Sequence, residues 1–347
     1  MAAKKNAKQI LDSACNAEEQ LKTSRKIRLM ELDLKATKAK LEVSERECES
    51  LRKRSEALDS LASDGPVDRW LHPKRKKHGD ATAIICLSDL HVEKSVRKER
   101  TCGLNEYTLE IAEKRLKSVF DRAILLVEDA RNLVSINSIV IWIGGDVIES
   151  HLRDENLSDN HLYPMEACRW ACDRLESGIR QVAECTNAAN ILVATNHGNH
   201  GRSWKKMPAG PAAETSYEYN MYLELRRRFD NRFSWQISES YFNFAQVYDY
   251  VVRFHHGDRI KYGGGINGIG VPAYRFIANA NTKKRAYLDI FGHFHSFAWP
   301  GPYVCNGSLV GVDEYSLAFG GDSVPRQAFV VIDKNRGTTR ALPIFAE

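Results

Sequence analysis

Five apolar runs between residues 81 and 295 each break off in a carboxylate, an imidazole or a carboxamide. "TAIICLSDLH" gives Asp89 and His91, "SIVIWIGGD" gives Asp146, and "NILVATNHGNH" gives Asn199 and His200. "YVVRFHHGD" gives His255 and His256, and "YLDIFGHFH" gives His293 and His295. Short apolar runs bounded by turn residues read as buried strands. Polar groups at their ends must therefore lie where the strands stop. In open α/β sheets that is where ligand sites form. Glycines flank four of the five ends, at Gly144–Gly145, Gly198, Gly257 and Gly292, which suits tight loops and close backbone approach.

Between these runs lie helical patterns. "YTLEIAEKRLKSVFDRAILLVEDAR" places Leu109, Ala112, Leu116, Val119, Phe120 and Ala123 at helical spacing, and "PMEACRWACDRLESGIRQVAEC" starts at Pro164. The β-α-β-α-β rhythm predicts an α/β fold, a layered β-sandwich flanked by helices. Past Phe233 the runs shorten: "FSWQIS", "YFNFAQV", "YVVRFHHGD", "YLDIFGH", "YVCNGS" and "QAFVVID". They fit a second sheet packed on the first.

Residues 1–62 differ in kind. They hold no Gly, Pro or aromatic residue and are dense in good helix formers. Leu34, Leu41 and Cys48 share one heptad position; Met30, Thr37, Ser44, Leu51 and Leu58 share the other. A long helix or coiled coil is expected, through which the protein would form a homo-oligomer or bind a partner. Residues 63–80 form a linker in which Gly65-Pro66 ends the helix and Lys74, Arg75, Lys76 and Lys77 make a basic run. Residues 81–347 form the globular domain.

The eight cysteines include no Cys-x-x-Cys pair, and Cys168 and Cys172 at i, i+4 read as helix packing, so reduced thiols are expected. No stretch approaches the ~20 apolar residues of a membrane span, and the first twenty residues lack a signal-peptide core. A cytoplasmic protein is expected. The net charge of +5 in 347 residues permits an acidic partner without demanding one.

Mixed carboxylate, imidazole and amide-oxygen donors suit Mn, Fe or Zn, neither a thiolate site nor an oxygen-only calcium cage. Six or seven donors exceed one tetrahedral zinc and fit two ions sharing a carboxylate. The ordered series D-x-H, GD, GNH, H-G and G-H-x-H resembles the calcineurin-like metallophosphoesterase superfamily over about residues 81–315. "YVCNGSLVG", with Gly307-Ser308, resembles the ending of its DNA double-strand-break repair nuclease branch. "HGNHGRSWKKMP" and "NGSLVGVDEY" are similar to its tailed-phage members, which would place the protein in a host cytoplasm. The resemblance implies the metallophosphoesterase fold and two divalent ions, manganese first, with iron or zinc as alternatives. It implies that Asp89, His91 and His295 hold one ion and Asn199, His256 and His293 the other, with Asp146 bridging. His200 would protonate the leaving oxygen as general acid. His256, directly before a glycine, is favoured over His255. Two departures stand out: Glu149 follows Asp146 by three, where Asp, Asn or Arg is common, and Gly201-Arg202 follow the GNH motif, where an acidic residue is common.

Fold and metals do not name the substrate. Arg202 and Lys205 are candidate substrate-binding residues, with Lys206 and the aromatic Trp204 beside them, a combination that grips a nucleic-acid backbone and stacks a base. A phosphodiester in DNA or RNA is the leading expectation. A small-molecule or nucleotide phosphodiester is the alternative, and a metal-poor scaffold is a third reading from another class. "ESHLRDENLSDNH", residues 149–161, is a polar insertion in which His151 and Asp154 are further candidates for touching substrate. "GGGINGIG", residues 263–270, lacks a strand-to-helix setting and reads as a lid loop, not a dinucleotide fingerprint.

Overall fold

The computed structural model describes residues 2–63, 79–151, 159–204, 212–261, 268–319 and 324–347. The chain divides into two units, Met1–Lys74 and Arg75–Glu347. The first is the helix α1, Ala2–Ser63. Its side chains at residue 10 and over residues 16–59 are all exposed, Leu34, Leu41 and Leu51 included. The Gly65-Pro66 breaker and the basic run at 74–77 lie outside the described residues. No described helix is long and apolar enough to cross a membrane.

The second unit contains two sheets. The larger has the order β10-β9-β1-β2-β3-β4, built from β1 (Asp80–Leu87), β2 (Ser135–Ile143), β3 (Asn190–Thr195), β4 (Phe233–Ile237), β9 (Arg326–Asp333) and β10 (Gly337–Phe345). Strands β1 to β4 run parallel, and β9 and β10 pair antiparallel beside them. The smaller sheet has the order β5-β6-β7-β8, from β5 (Asn243–Val247), β6 (Tyr250–His255), β7 (Leu288–Phe291) and β8 (Tyr303–Cys305). Strands β6, β7 and β8 are parallel to one another.

The period-2 alternation of a strand decides the layers. On β1, Ala83, Ile85 and Leu87 face the helices α2 (Leu109–Arg131), α3 (Pro164–Thr186) and α4 (Tyr217–Arg227), packing with Leu116, Phe120, Leu175 and Tyr222. Ile84 and Cys86 point the other way, into a core shared with Val252, Phe254 and Ile290 of the smaller sheet. There Trp142 stacks on Phe254 with centroids 5.6 Å apart. Helix α5 (Gly270–Asn281) covers the outer face of the smaller sheet through Ala273 and Ile277 against Phe291 and Tyr303. The result is the expected α/β sandwich flanked by helices.

Three local expectations need correcting. "FSWQIS" and "QAFVVID" do not join the second sheet: β4 pairs with β3 and β9 with β1. Parallel pairing needs the crossover α4 rather than a hairpin, and the short run of β4 carried no signal of its partner. The glycine-rich segment does lead into a helix, since α5 starts at Gly270. Residues 262–267 of that segment lie outside the described residues. Cys168 and Cys172 are buried on the inner face of α3, in agreement with the packing reading.

Candidate metal centre

Because β1, β2 and β3 run parallel, their carboxyl ends share one edge of the larger sheet. The ends of β6 and β7 share one edge of the smaller sheet. Both edges deliver side chains to the same place, as the contacts between them show. His256 Nε2, after β6, lies 2.9 Å from Asp146 Oδ2, after β2. His295 Nε2, after β7, lies 3.5 Å from Asp89 Oδ1, after β1.

Three clusters result among the described residues, the third, His91, Glu149 and His200, sharing His91 with the first. In the first, Asp89, His91 and His295 have ligand atoms within 4.8 Å of one another. His91 Nε2 and His295 Nε2 are only 3.2 Å apart. In the second, Asp146, His256 and His293 meet the same limit of 4.8 Å. The Asn199 amide oxygen joins them, 3.1 Å from His256 Nε2. Asp89, His91, Asp146 and His256 are almost wholly buried.

The outward nitrogens of two rings settle which atom faces inward. His256 Nδ1 donates to the Gly144 carbonyl at 2.9 Å, which leaves Nε2 as a lone pair toward Asp146 and Asn199. His91 Nδ1 lies 2.6 Å from Glu149 Oε2, which leaves its Nε2 toward His295. Lone pairs thus converge on lone pairs in the first two clusters, an arrangement that a cation or a proton must complete. Without a cation, protons take that place: burial works against charge on His256, but Asp146 and Asp89 hold its imidazole well above the usual range. Burial pushes His293 down to about 4, so it is a neutral donor near pH 7. Burial opposes ionisation of Asp89 and Asp146, yet the surrounding histidines keep both carboxyls below the ordinary value. Carboxylate, imidazole and amide-oxygen donors gathered in this way fit divalent metal ions.

Backbone strain concentrates at the same residues. Asp89, His91, Asp146, His293 and His295 all adopt left-handed φ, between 43° and 69°. L-residues take that conformation reluctantly, at a cost of order 1–3 kcal/mol each, and it persists where the surroundings impose it. Here the imposing contacts are visible. The His293 amide donates to both Asp89 oxygens at 2.9 and 3.0 Å, and the His200 amide donates to Asp146 Oδ1 at 2.7 Å. Gly198 explains why the third loop comes so close: a Cβ there would stand 2.1 Å from Asp146 Oδ1 and 2.2 Å from its backbone nitrogen.

Buried carboxylates tie the loops together. Glu218 of α4 accepts from the amides of Val147, at 2.6 Å, and Gly198, at 2.7 Å. Glu93 accepts from the amides of Glu149, at 3.0 Å, and Ser150, at 2.7 Å. Burial raises both carboxyls to about 7. Glu149 itself stands between His91 and His200, 3.5 Å from His200 Nδ1. Burial opposes its charge, but Lys94, His200 and His91 keep it ionised far below the usual range. It in turn raises His200, against burial. His200 Nδ1 also sits 3.1 Å from the Glu149 carbonyl, which leaves Nε2 for other contacts.

In the sequence Glu149 stands out as a departure from the motif pattern and as the first residue of the polar insertion. Its spacing after Asp146 was the available signal. Glu93, Glu218 and Gln327 had none. Gln327 of β9 accepts from the Ser88 amide and from Asn306 Nδ2, both at 2.8 Å, while Ser308 Oγ donates to the Asp89 carbonyl at 2.9 Å. "NGS" thus braces the loop that carries Asp89. His255 is in none of the clusters: its ring is buried among Phe242, Phe276 and Phe291, with Nε2 3.5 Å from Asp289 Oδ1. Arg202 donates to the carbonyls of Asn199 and Trp204, so part of its role is to hold the GNH loop. Trp204 beside it is 55 % exposed. His151 packs its ring near Tyr217. Lys205, Lys206 and Asp154 lie outside the described residues.

No protein-family model matches the chain, and no curated relative matches it. Solved structures with similar backbones include a predicted phosphoesterase from Streptococcus pneumoniae, 12 % identical, covering 77 % of this chain and 99 % of its own, TM-score 0.30. Vacuolar protein sorting 29 from Cryptosporidium parvum is 10 % identical over 74 % of this chain and 87 % of its own, TM-score 0.32. A hypothetical protein from Pyrococcus horikoshii is 11 % identical over 77 % of this chain and 89 % of its own, TM-score 0.36. At such scores the likeness carries no inference about activity.

Proposed function

We propose that the Arg75–Glu347 unit is a two-metal phosphoesterase of the calcineurin-like type that hydrolyses phosphodiester bonds, with nucleic acid as its substrate. The observation behind this reading is the meeting of seven donor side chains from five strand ends, five of them held in left-handed backbone. Asp89, His91 and His295 would hold one ion, and Asn199, His256 and His293 the other, with Asp146 shared. Two such ions, manganese first, would neutralise phosphoryl oxygens and supply a nucleophile from water at neutral pH.

The chain's own residues do the rest. Glu149 and the Gly144 carbonyl fix the tautomers of His91 and His256. Charge from Glu149 and Asp146 favours a proton on His200, whose Nε2 would pass it to the leaving oxygen. Arg202 and the exposed Trp204 offer a cation and a flat ring at the edge of the GNH loop, which supports a nucleic-acid strand as substrate.

The test is cleavage of end-labelled single- and double-stranded DNA with Mn²⁺, alongside Asp146→Ala and with metal content measured in both proteins. The expected result is Mn-dependent cutting, and two ions per chain, both absent from the variant. Cleavage of bis(p-nitrophenyl) phosphate without cleavage of DNA would move the substrate to small phosphodiesters. A protein that binds no metal would end the enzyme reading and favour a scaffold.

A further inference from the structure

Helix α1 leaves an apolar seam with no partner among the described residues of its own unit. Ile27, Leu34, Leu41 and Cys48 recur every seven residues as one line of it. Met30, Thr37, Ser44, Leu51 and Leu58 form the second line, three residues on from the first. The aliphatic members are each more than half exposed. A lone helix in water gains little from propensity, and its stability comes from burying such a stripe. Thr37 is compatible with burial because its hydroxyl already donates to the Asp33 carbonyl at 2.7 Å. Leu32 and Val43 fall off the seam.

The charges beside the seam identify the occupant. In a parallel coiled coil the residue just before the first line meets, on the partner, the residue five positions further along. Applied to two copies of α1 in register, Lys26 meets Glu31, Asp33 meets Lys38 and Lys40 meets Glu45. Glu47 then meets Arg52, and Arg54 meets Asp59. All five pairs are opposite in sign, and the twofold axis repeats each of them. The signs alternate from heptad to heptad, so a slip of one heptad turns every pair repulsive: Lys26 then meets Lys38 and Asp33 meets Glu45. Full antiparallel overlap is repulsive too, bringing Lys26 to Arg54, Asp33 to Glu47 and Lys40 to itself. Antiparallel helices offset by a heptad regain attraction but shorten the buried seam.

We infer that α1 pairs with α1 of a second copy of this chain as a parallel, in-register two-stranded coiled coil over about residues 26–59. The inference is independent of the phosphoesterase reading. It sets Cys48 against Cys48 on the axis, a geometry within reach of a disulfide. Any antiparallel arrangement with the same seam sets Cys48 against a different residue. In the single helix Arg52 pairs with Glu56 at 3.0 Å, so Glu47 of the second copy must compete for it.

The test uses the full-length protein, by sedimentation equilibrium and by mild oxidation followed by a non-reducing gel. The expected result is a species of twice the chain mass and a covalent dimer that depends on Cys48, absent in Cys48→Ser. Lys40→Glu or Glu45→Lys alone should weaken the dimer about tenfold or more, since each replaces two attractions by two repulsions. The double variant Lys40→Glu/Glu45→Lys restores opposite signs and should restore the dimer. A monomer at tens of micromolar, the lack of a Cys48-dependent link, or no recovery in the double variant would each overturn the inference.

Discussion

At His200 two groups of Glu149 divide orientation from charge. The Glu149 carbonyl, 3.1 Å from Nδ1, sets the ring, and the Glu149 carboxylate, 3.5 Å away, favours its proton. Glu149 also touches His91 Nδ1, so one carboxylate serves a proposed ligand and the proposed acid. The His200 amide donates to Asp146 of the second cluster, and its ring stands edge-on to His91, centroids 4.9 Å apart, outside the proposed ligands. Removing its ring should therefore leave the donor set intact. His200→Ala is expected to bind Mn²⁺ with unchanged stoichiometry while turnover falls by about 10²–10⁴. The loss should be greater for alkyl than for nitrophenyl esters, because a poor leaving group needs the proton more. Calorimetric metal titration beside kinetics on both esters checks this, and equal losses on the two esters would remove His200 from the acid role.

Loops, more than strands, carry the site at the level of elements. Five strand ends supply the residues, but the distances between them depend on backbone packing against backbone. Gly198 shows this most sharply. A methyl group there would collide with both the nitrogen and the carboxylate of Asp146, so the GD and GNH loops would have to part. Gly198→Ala is expected to lower Mn²⁺ affinity by about tenfold to a hundredfold, the range seen when groups that orient ligands are disturbed. The sheets should persist, because their backbone ladders and the two apolar cores around them do not include Gly198. Unchanged metal affinity with an unchanged circular dichroism spectrum would show that the loops need not touch.

For the whole molecule, long-range polar ties join segments distant in sequence. Lys94, beyond β1, meets Asp313 at 2.6 Å, next to the short helix α6 (Glu314–Phe319). Burial disfavours the Asp313 carboxylate, but Lys94 and the contacts with Ser316 hold it down to about 2. A carboxyl depressed in the folded state stabilises above its unfolded value near 3.8 and loses that contribution as pH falls through its folded value. Asp313→Asn should thus cost about 2 kcal/mol near pH 7, shrinking toward zero between pH 3.8 and pH 2. Urea unfolding of both proteins across that window checks it. A difference that does not change with pH would assign the loss to packing instead.

By itself the sequence determined the layer order and the list of polar groups at strand ends, because buried strands and helices write their periods directly into apolar spacing. Asp89, His91, Asp146, Asn199, His256, His293 and His295 were legible for that reason: each follows an apolar run. Only the tertiary structure decided which sheet β4 and β9 join, since pairing partners are chosen by packing between segments as far apart in sequence as Ala81 and Asp333. It also decided that Glu93, Glu218 and Gln327 knit the loops, because a buried carboxylate or amide inside a helix or loop looks in sequence like any solvated one. And it decided the left-handed turns at five donors: Asp and His enter that region more readily than most residues, but the turns exist because neighbouring strands hold both ends of each loop.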